Sequence, residues 1–380
     1  MSNTLNSIIP KILARALLVL RGRLVMPQLA NSDYAADAAK KGDVINVQIP
    51  AAQTATDVTP SNTKPALSSH TPTTVPIPLD QWKMTDFNLT DKDMQLIDTN
   101  DAFLPMQTYS AIDAIASTIN SYLFTQSLQI PSFTGTAGTT PFASDATAVI
   151  NGRKKLVQQK CPDERKRNLV LDPNAEANAL GLAVFANFEQ TGDQGPKIEG
   201  ALGRKYGVNF YVDQQAPTHT LGATGTVTVD TAGGTAGQST LPVVASSLGQ
   251  PTPGDHFTIA GDTTQYVVVS ATTVASNKST LTISPALATS PVSTTAITFL
   301  ASFTANVLFH PRALAFAMRP LVQSTADLAF GSKIMSMQDP LTQITLRLEV
   351  TRVHKAVIWE FDVLYGGAVV DGNCGCLILG

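Results

Sequence analysis

At 380 residues and 43% hydrophobic content, the chain is long enough for about two or three packed cores. Charged residues make up only 14%, aromatics 6%, and the formal net charge is -3, which excludes the basic excess of a nucleic-acid reader. A surface so charge-poor and near-neutral suits a protein that packs against copies of itself.

Leu5, Ile8, Ile9, Ile12, Leu13, Leu17 and Leu20 recur at helical spacing, interrupted by Lys11, Arg15 and Arg21. This predicts an amphipathic helix. Its uninterrupted apolar stretch, 16–20, is too short to span a membrane, and no small-residue cleavage pattern precedes Arg21-Gly22-Arg23. With no targeting segment in view, the chain is expected to stay in the cytoplasm of the cell that makes it. Three uses are open to the helix, whose apolar face (Leu5, Ile8, Ile9, Ile12) lies beside Lys11, Arg15, Arg21 and Arg23. It can pack on an adjacent subunit, dock an acidic partner helix, or fold back on its own domain.

Asn31 to Lys41 reads as a short turn or helix, and Val44, Val47 and Ile49 as a strand closed by Pro50. Residues 51–78 carry prolines at 60, 65, 72, 76 and 78, many threonines and few large apolar side chains. That is too little for a core. Because the alternating Trp82, Met84, Phe87 and Leu89 follow, the segment predicts a long hairpin or arm ordered by a neighbouring subunit; a disordered linker is the alternative. Ile112, Ile115, Ile119, Tyr122 and Leu123 then mark a helix of roughly six turns that ends before Pro131, long enough to act as a spine.

After a Gly/Thr-rich break, 145–160 reads as a helix, 168–172 as a buried strand, 174–188 as another helix, and 208–212 as a strand. Residues 217–303 differ from everything around them: Lys278 is their only Lys or Arg, and they contain no Glu. Short alternating runs at 225–229, 256–259, 266–269 and 280–283, with turn signals between, predict an all-β insert of about six strands, a barrel or a sandwich. Its core candidates are Val227, Val229, Phe257, Ile259, Val267, Val269, Leu281 and Ile283. Pro311 to Arg319 reads as a helix, 341–351 and 356–364 as strands, and Leu377-Ile378-Leu379 as a closing apolar run.

Organised catalytic groups are hard to find. The sequence holds no G-x-S-x-G, H-E-x-x-H, G-x-x-x-x-G-K-[ST], or helix-opening G-x-G-x-x-G. His310 is the best general-base candidate, though a local backbone bond is the plainer use for it. Glu360, and Arg352 with His354-Lys355, read as surface or interface charges. Cys161, Cys374 and Cys376 are too few for a disulfide scaffold, and His70, His219, His256, His310 and His354 lie too scattered to complete a metal site. No cofactor, no metal and no enzymatic activity are expected.

Several segments carry a family likeness. Gly42-Asp43-Val44-Ile45-Asn46-Val47-Gln48-Ile49-Pro50, preceded by Ala30-Asn31-Ser32-Asp33-Tyr34, resembles the start of the extended loop in coat proteins of short-tailed phages infecting enteric bacteria. Arg167 to Pro173, Gly203 to Tyr211, and Leu308-Phe309-His310-Pro311-Arg312-Ala313-Leu314-Ala315 resemble other parts of that family, and 217–303 its inserted domain. The resemblance implies an α+β, HK97-like (Hong Kong 97-type) major capsid fold. It implies an N-terminal arm at 1–45 and an extended loop at 46–90. The peripheral domain would be 91–139 with 331–380, the axial domain 140–216 with 304–330, and the inserted β-domain 217–303. It further implies hexamers and pentamers in an icosahedral shell around double-stranded DNA, bound without sequence recognition. Assembly would run as a procapsid on a scaffolding protein, with a portal protein at one vertex, room for a decoration protein, and no membrane. The assembly candidates are Leu5, Ile8, Ile12, Lys11, Arg15, Arg21, Lys64, Lys83 and Trp82. Lys64 or Lys83 would serve a covalent crosslink of the kind some relatives form, but no surrounding motif supports one and non-covalent assembly is expected. A tail-associated or adhesive structural protein is the competing expectation, since a Thr/Gly-rich β-domain also suits fibres.

Overall fold

The computed structural model describes residues 5–32, 44–49, 60, 72–91, 106–186, 200–319, 321, 333–339 and 344–380. In chain order the first elements are α1 (Leu5–Arg23), α2 (Met26–Leu29), β1 (Val44–Ile49), β2 (Thr73–Pro78), β3 (Gln81–Thr90) and α3 (Met106–Ser127). Next come β4 (Phe133–Thr134), α4 (Thr147–Gln158), β5 (Asn168–Leu171), α5 (Pro173–Gly181), α6 (Ala183–Ala186), β6 (Arg204–Lys205), β7 (Val208–Val212) and β8 (Thr218–His219). Six strands follow: β9 (Val227–Val229), β10 (Thr240–Ala245), β11 (His256–Ile259), β12 (Gln265–Ala271), β13 (Lys278–Ser284) and β14 (Ala296–Phe299). The last are β15 (Phe303–Phe309), β16 (Leu314–Arg319), β17 (Lys333–Gln338), β18 (Thr345–Val353), β19 (Ala356–Val369) and β20 (Gly375–Leu379).

Two sheets share one main core. In the first, β19 pairs with β16, β18 and β3, and β17 extends β18. Strand alternation splits β18 cleanly: Leu346, Leu348 and Val350 face inward, Arg347 and Glu349 outward. On the inward face lie the spine helix α3, whose Ile112, Ile115, Ile119 and Leu123 are buried, and α1. Phe87 of β3 stacks parallel to Trp359 of β19, centroids 6.3 Å apart. The second sheet runs β4-β20-β15-β5-β7-β6, with β8 also on β15, and carries α4. Helix and sheet meet closely at Gly152, where a Cβ would stand 2.8 Å from the Leu308 side chain. The sharp exit expected after β5 is a helix cap: Asp172 accepts the N–H groups of Asn174 and Ala175, with Pro173 in the first turn of α5.

The segment 217–303 contains a closed barrel, β10-β13-β12-β11-β14-β9, with its own core. A bulge between Val268 and Ser270 changes which face β12 turns inward. Ahead of the bulge Tyr266 and Val268 fill the barrel, Val267 is buried outside the barrel core and Val269 is exposed, where simple alternation predicted Val267 and Val269 in that core. The barrel's entry and exit are neighbours: β8 pairs with β15, and Ala305 N–H donates to the Pro217 carbonyl at 3.0 Å.

Three readings change. Pro311 to Arg319 is not a helix: Leu314–Arg319 is strand β16, paired with β19. Its large and small residues alternate, so Leu314, Phe316 and Met318 enter the main core while Ala315 and Ala317 contact Ile45, Val47, Ile77 and Leu79. Period two here overrides the helix propensity of alanine. The 174–188 helix breaks at Leu182, whose backbone is extended. Finally, 51–78 is not uniformly remote from the body, because β2 pairs with β1 from Val44↔Pro78 to Ile49↔Thr73 and buries Ile77 against β16. The turn read at 31–41 lies outside the described residues beyond Ser32.

The sheets also cut across the boundary expected at residue 330. β16, from the 304–330 piece, joins the sheet of β17–β19, and β20, from the 331–380 piece, joins β15 and β5. Strands β10, β14 and β17 have no counterpart in the sequence reading. Cys161, Cys374 and Cys376 are buried free thiols, and His310 is buried with Nδ1 accepting the Arg312 N–H at 3.3 Å.

Where β2 leaves the hairpin it crosses β19 at Gly366, and a Cβ there would sit 1.9 Å from the Pro78 carbonyl oxygen. Gly366→Ala is expected to lift the hairpin base off the sheet and to cost about 1–3 kcal/mol in denaturant titration. An unchanged midpoint would mean that the base is not seated there.

Candidate assembly surfaces

Apart from the β1–β2 hairpin seated on Ala315, Ala317 and Gly366, the outward face of the five-stranded sheet is uncovered by any described element. The β3–β19 register sets Trp82 opposite Leu364, Met84 opposite Asp362, and Asp86 opposite Glu360; across β19, Asp362 faces Arg347 and Glu360 faces Glu349. Trp82 and Met84 are each 61% exposed. Trp82 is nonetheless held, since its Nε1–H donates to Asp362 Oδ2 at 3.0 Å. Arg347 clasps the same carboxylate through Nε to Oδ1 at 2.8 Å and Nη2 to Oδ2 at 2.8 Å, a two-pronged geometry that fixes both partners.

The face is acidic. Burial raises the Glu360 carboxyl above its usual range, and Glu349, Asp86 and Asp362 push it the same way against the weaker pull of Arg347. Two large apolar side chains beside clustered carboxylates make a surface that gains from being covered by a partner carrying apolar and basic groups. Covering Met84 alone would contribute about 1.5–3 kcal/mol. Glu360 was legible as a surface or interface charge; the acidic cluster around it was not, because it is gathered from three strands. The interface patch read at Arg352 and His354-Lys355 is the turn joining β18 to β19, where Arg352 pairs with Asp91 at 3.0 Å.

The sequence-derived candidates fall on two sides of this sheet. Trp82 belongs to the outward face. Lys83, also exposed, alternates to the other side, opposite Val363. On α1, Lys11 and Arg15 are exposed, but Ile12 is buried with Leu13, Leu17 and Leu20 in the chain's own core against α3, β17 and β18. Ile12 is thus not an assembly contact: the folding-back alternative holds for this part of the helix. The side chains of Leu5 and Ile8, and all of Lys64, lie outside the described residues. Arg21 pairs with the buried Asp339 at 3.4 Å, and Arg23 with Asp113 at 3.2 Å. Arg21→Glu is therefore expected to lower folding stability by about 1–2 kcal/mol in urea titrations. Arg15→Glu should leave the midpoint unchanged; equal losses in the two variants would contradict this division of the helix.

Among the described residues no group of three or more His, Cys, Asp or Glu side chains could hold a metal ion, and no helix is long and apolar enough to cross a membrane.

No protein-family model matches the chain, and no curated protein matches it. Solved structures share its fold over nearly its whole length. A chain from the structure of Mycobacterium phage Che8 superposes with a TM-score of 0.52 and 14% identity, covering 93% of this chain and 90% of that one. A chain from the capsid structure of the cyanophage P-SCSP1u gives 0.50 and 11%, covering 94% of this chain and 88% of that one. The fold is HK97-like. An HK97-like fold of α+β class is what the sequence predicts. At these identities the likeness is one of backbone, and the assembly surfaces must be argued from this chain's own side chains.

Proposed function

We propose that this chain is the major capsid protein of a tailed bacteriophage, short-tailed by its sequence resemblance. Copies of it would close, as hexamers and pentamers, into an icosahedral shell around double-stranded DNA. The observation that carries this reading is the end-to-end likeness of fold to a chain of the P-SCSP1u capsid, which leaves little of either chain unmatched. The uncovered, acidic and partly apolar face at Trp82 supports it, as a surface suited to a neighbour. A structural role also fits the state of His310, shut from solvent and bonded to backbone.

In this reading 1–45 is the N-terminal arm and 46–90 the extended loop, anchored by the β1–β2 base. The spine helix and strands β16–β19 make the peripheral domain, to whose sheet the extended loop adds β3, while β20 is given up to the axial domain and 217–303 is the inserted β-domain. A scaffolding protein would guide procapsid assembly in the host cytoplasm, a portal protein would occupy one vertex, and the virion would be the protein's final place. DNA would be enclosed without sequence recognition. The test is to express the chain with and without its scaffolding partner and image the product. Closed shells of uniform diameter are expected. Fixed trimers or thin fibres would overturn the capsid reading in favour of a tail-associated or adhesive protein.

A further inference from the structure

Two cysteines far apart in sequence meet at one end of the second sheet. Strand β15 lies between β5 and β20, with Phe309 opposite Asn168 on one side and Gly375 on the other. Cys374, just ahead of β20, is fixed there by its carbonyl, which accepts the His310 N–H at 2.9 Å. Arg167, just ahead of β5, reaches to the loop after α4, where Nη2 donates to the Cys161 carbonyl at 2.8 Å and Nε to the Pro162 carbonyl at 3.3 Å. The Cys161 and Cys374 thiols hydrogen-bond to each other across this end.

The two sulfurs are not equivalent. The bond from Cys374 lowers the Cys161 thiol most; burial opposes it, and the Arg167 guanidinium adds to it. The Cys374 thiol is raised by the same bond, by burial and by Asp371, whose Oδ2 accepts its S–H at 3.3 Å. The pair's first negative charge therefore rests on Cys161, while Asp371 stands ready to take the proton of Cys374. Neither thiol is sealed: Cys161 is 6% exposed and Cys374 3%, next to exposed Lys160 and Asn373 respectively. Cys376 differs on both counts. It is fully buried within β20, and burial pushes its thiol up to about 12.

A thiolate bonded to a second thiol, with a guanidinium beside the one and a carboxylate beside the other, can be oxidised once and then closed. We propose that Cys161 and Cys374 form a redox pair, a dithiol that a peroxide converts to an intramolecular disulfide. The Cys161 thiolate attacks one peroxide oxygen; the O–O bond breaks and hydroxide leaves, giving a sulfenic acid. Cys374 then passes its proton to Asp371 and attacks the Cys161 sulfur, so that the S–S bond forms as the S–O bond breaks and a second hydroxide leaves. The two hydroxides take up the two thiol protons. Two thiols and one peroxide become one disulfide and two waters, and the sulfurs lose the two electrons that the peroxide gains.

The disulfide would tie the loop leading into β5 to the turn leading into β20, clasping β15 between them. The chemistry stands apart from the capsid reading, whereas its use rests on it. Shell subunits made in a reducing cytoplasm would keep the thiols, and the clasp would close only in released particles.

The test uses the full, unmutated chain, so that no variant's folding is at stake. It is treated with hydrogen peroxide in native buffer, alkylated, digested without reduction and mapped by mass spectrometry. A loss of two hydrogens is expected, with one linkage, Cys161 to Cys374, reversed by dithiothreitol, and with Cys376 alkylated only after unfolding. In urea the preference for that linkage should vanish, and Cys376→Ser should close it as readily as the parent. The oxidised chain should melt about 5 °C or more above the reduced one. Linkage of Cys374 to Cys376, linkage between chains, or a sulfinic or sulfonic acid on Cys161 with no linkage would overturn the pair. An unshifted melt would overturn the clasp. Shell formation plays no part in these measurements, so fibres in place of shells would leave the pair standing.

Discussion

Excised as residues 217–303, the β-barrel is expected to fold alone, with dispersed amide resonances and a cooperative melt. Its core is separate from the main one, and closure removes the unpaired edges that would make an isolated sheet associate. Phe257 stacks on Tyr266 at 5.5 Å inside it, and the Tyr266 hydroxyl donates to Asp262 at 2.7 Å, so the largest polar tip in that core is satisfied from within. The excised fragment loses few bonds to the body: His256 to the Ile130 carbonyl, Gln265, whose amide both gives to and takes from the Phe133 backbone, and the links of Pro217 and Thr218 to Ala305 and Thr304. The complementary chain, with a short Gly/Ser bridge replacing the barrel between Pro217 and Ala305, should also fold, because those ends are already hydrogen-bonded neighbours. A random-coil spectrum of the fragment would show that the barrel leans on the body.

Asp255→Ala should be among the most damaging single substitutions in the chain, at about 3–5 kcal/mol. Asp255 is fully buried and accepts from His219 Nε2 at 2.8 Å, Thr252 N at 2.9 Å, Thr252 Oγ1 at 3.1 Å, and Gly222 N and Ala223 N at 3.2 Å. Five donors would lose their acceptor at once, at the point where the barrel joins β8. The same joint makes stability depend on pH. Burial by itself would raise the Asp255 carboxyl, but the bonds from His219, Thr252 and Gly222 outweigh it and hold it below its ordinary value. That stabilisation is present above the unfolded carboxyl's pKa and is lost as pH falls through the folded one. His256 is driven from 6.5 to about 4 by burial, against the pull of the Ile130 and Gly254 carbonyls. Its two ring nitrogens both face carbonyl oxygens at 2.8 Å, and a neutral ring can donate to only one of them, so the stability lost as pH falls from about 6.5 to about 4 is partly offset by the second bond gained on protonation. The two signs agree. Melting temperatures measured from pH 8 to pH 4 should drop over the acid half of that range, and less steeply in His256→Gln; parallel slopes would remove His256 from the account.

How much of this was legible depends on the range over which each feature is written. The barrel announced itself because 217–303 is contiguous, poor in charge and regularly punctuated by turns. The spine helix and α1 did so through their apolar stripes. β16 was misread because alanine favours helix locally, whereas Leu314, Phe316 and Met318 answer to a core on one side and Ala315 and Ala317 to the hairpin on the other. The exchange of β16 and β20 between sheets has no local signature at all. The same holds for the assembly face and the thiol pair. Asp86, Arg347 and Glu360 become neighbours only through strand register, and Cys161 and Cys374 only because β5 and β20 flank β15.

The position of β20 has a consequence for the order in which the parts mature during translation. β20 is an interior strand, with β15 on one side and β4 on the other, yet it follows both in sequence, after all of β16–β19. On the ribosome, β15 and β5 can pair while the site beside β15 stays open until residues 375–379 emerge. The barrel, drawn from one continuous segment, is complete long before. Nascent chains would thus carry a finished barrel on an unfinished body, and the body's apolar strands would stay exposed until β20 is made, open to premature association. Chains stalled before Gly375 should resist proteolysis in the barrel and be cut throughout β5, β7 and β15; uniform protection of both regions would show that the second sheet closes without β20.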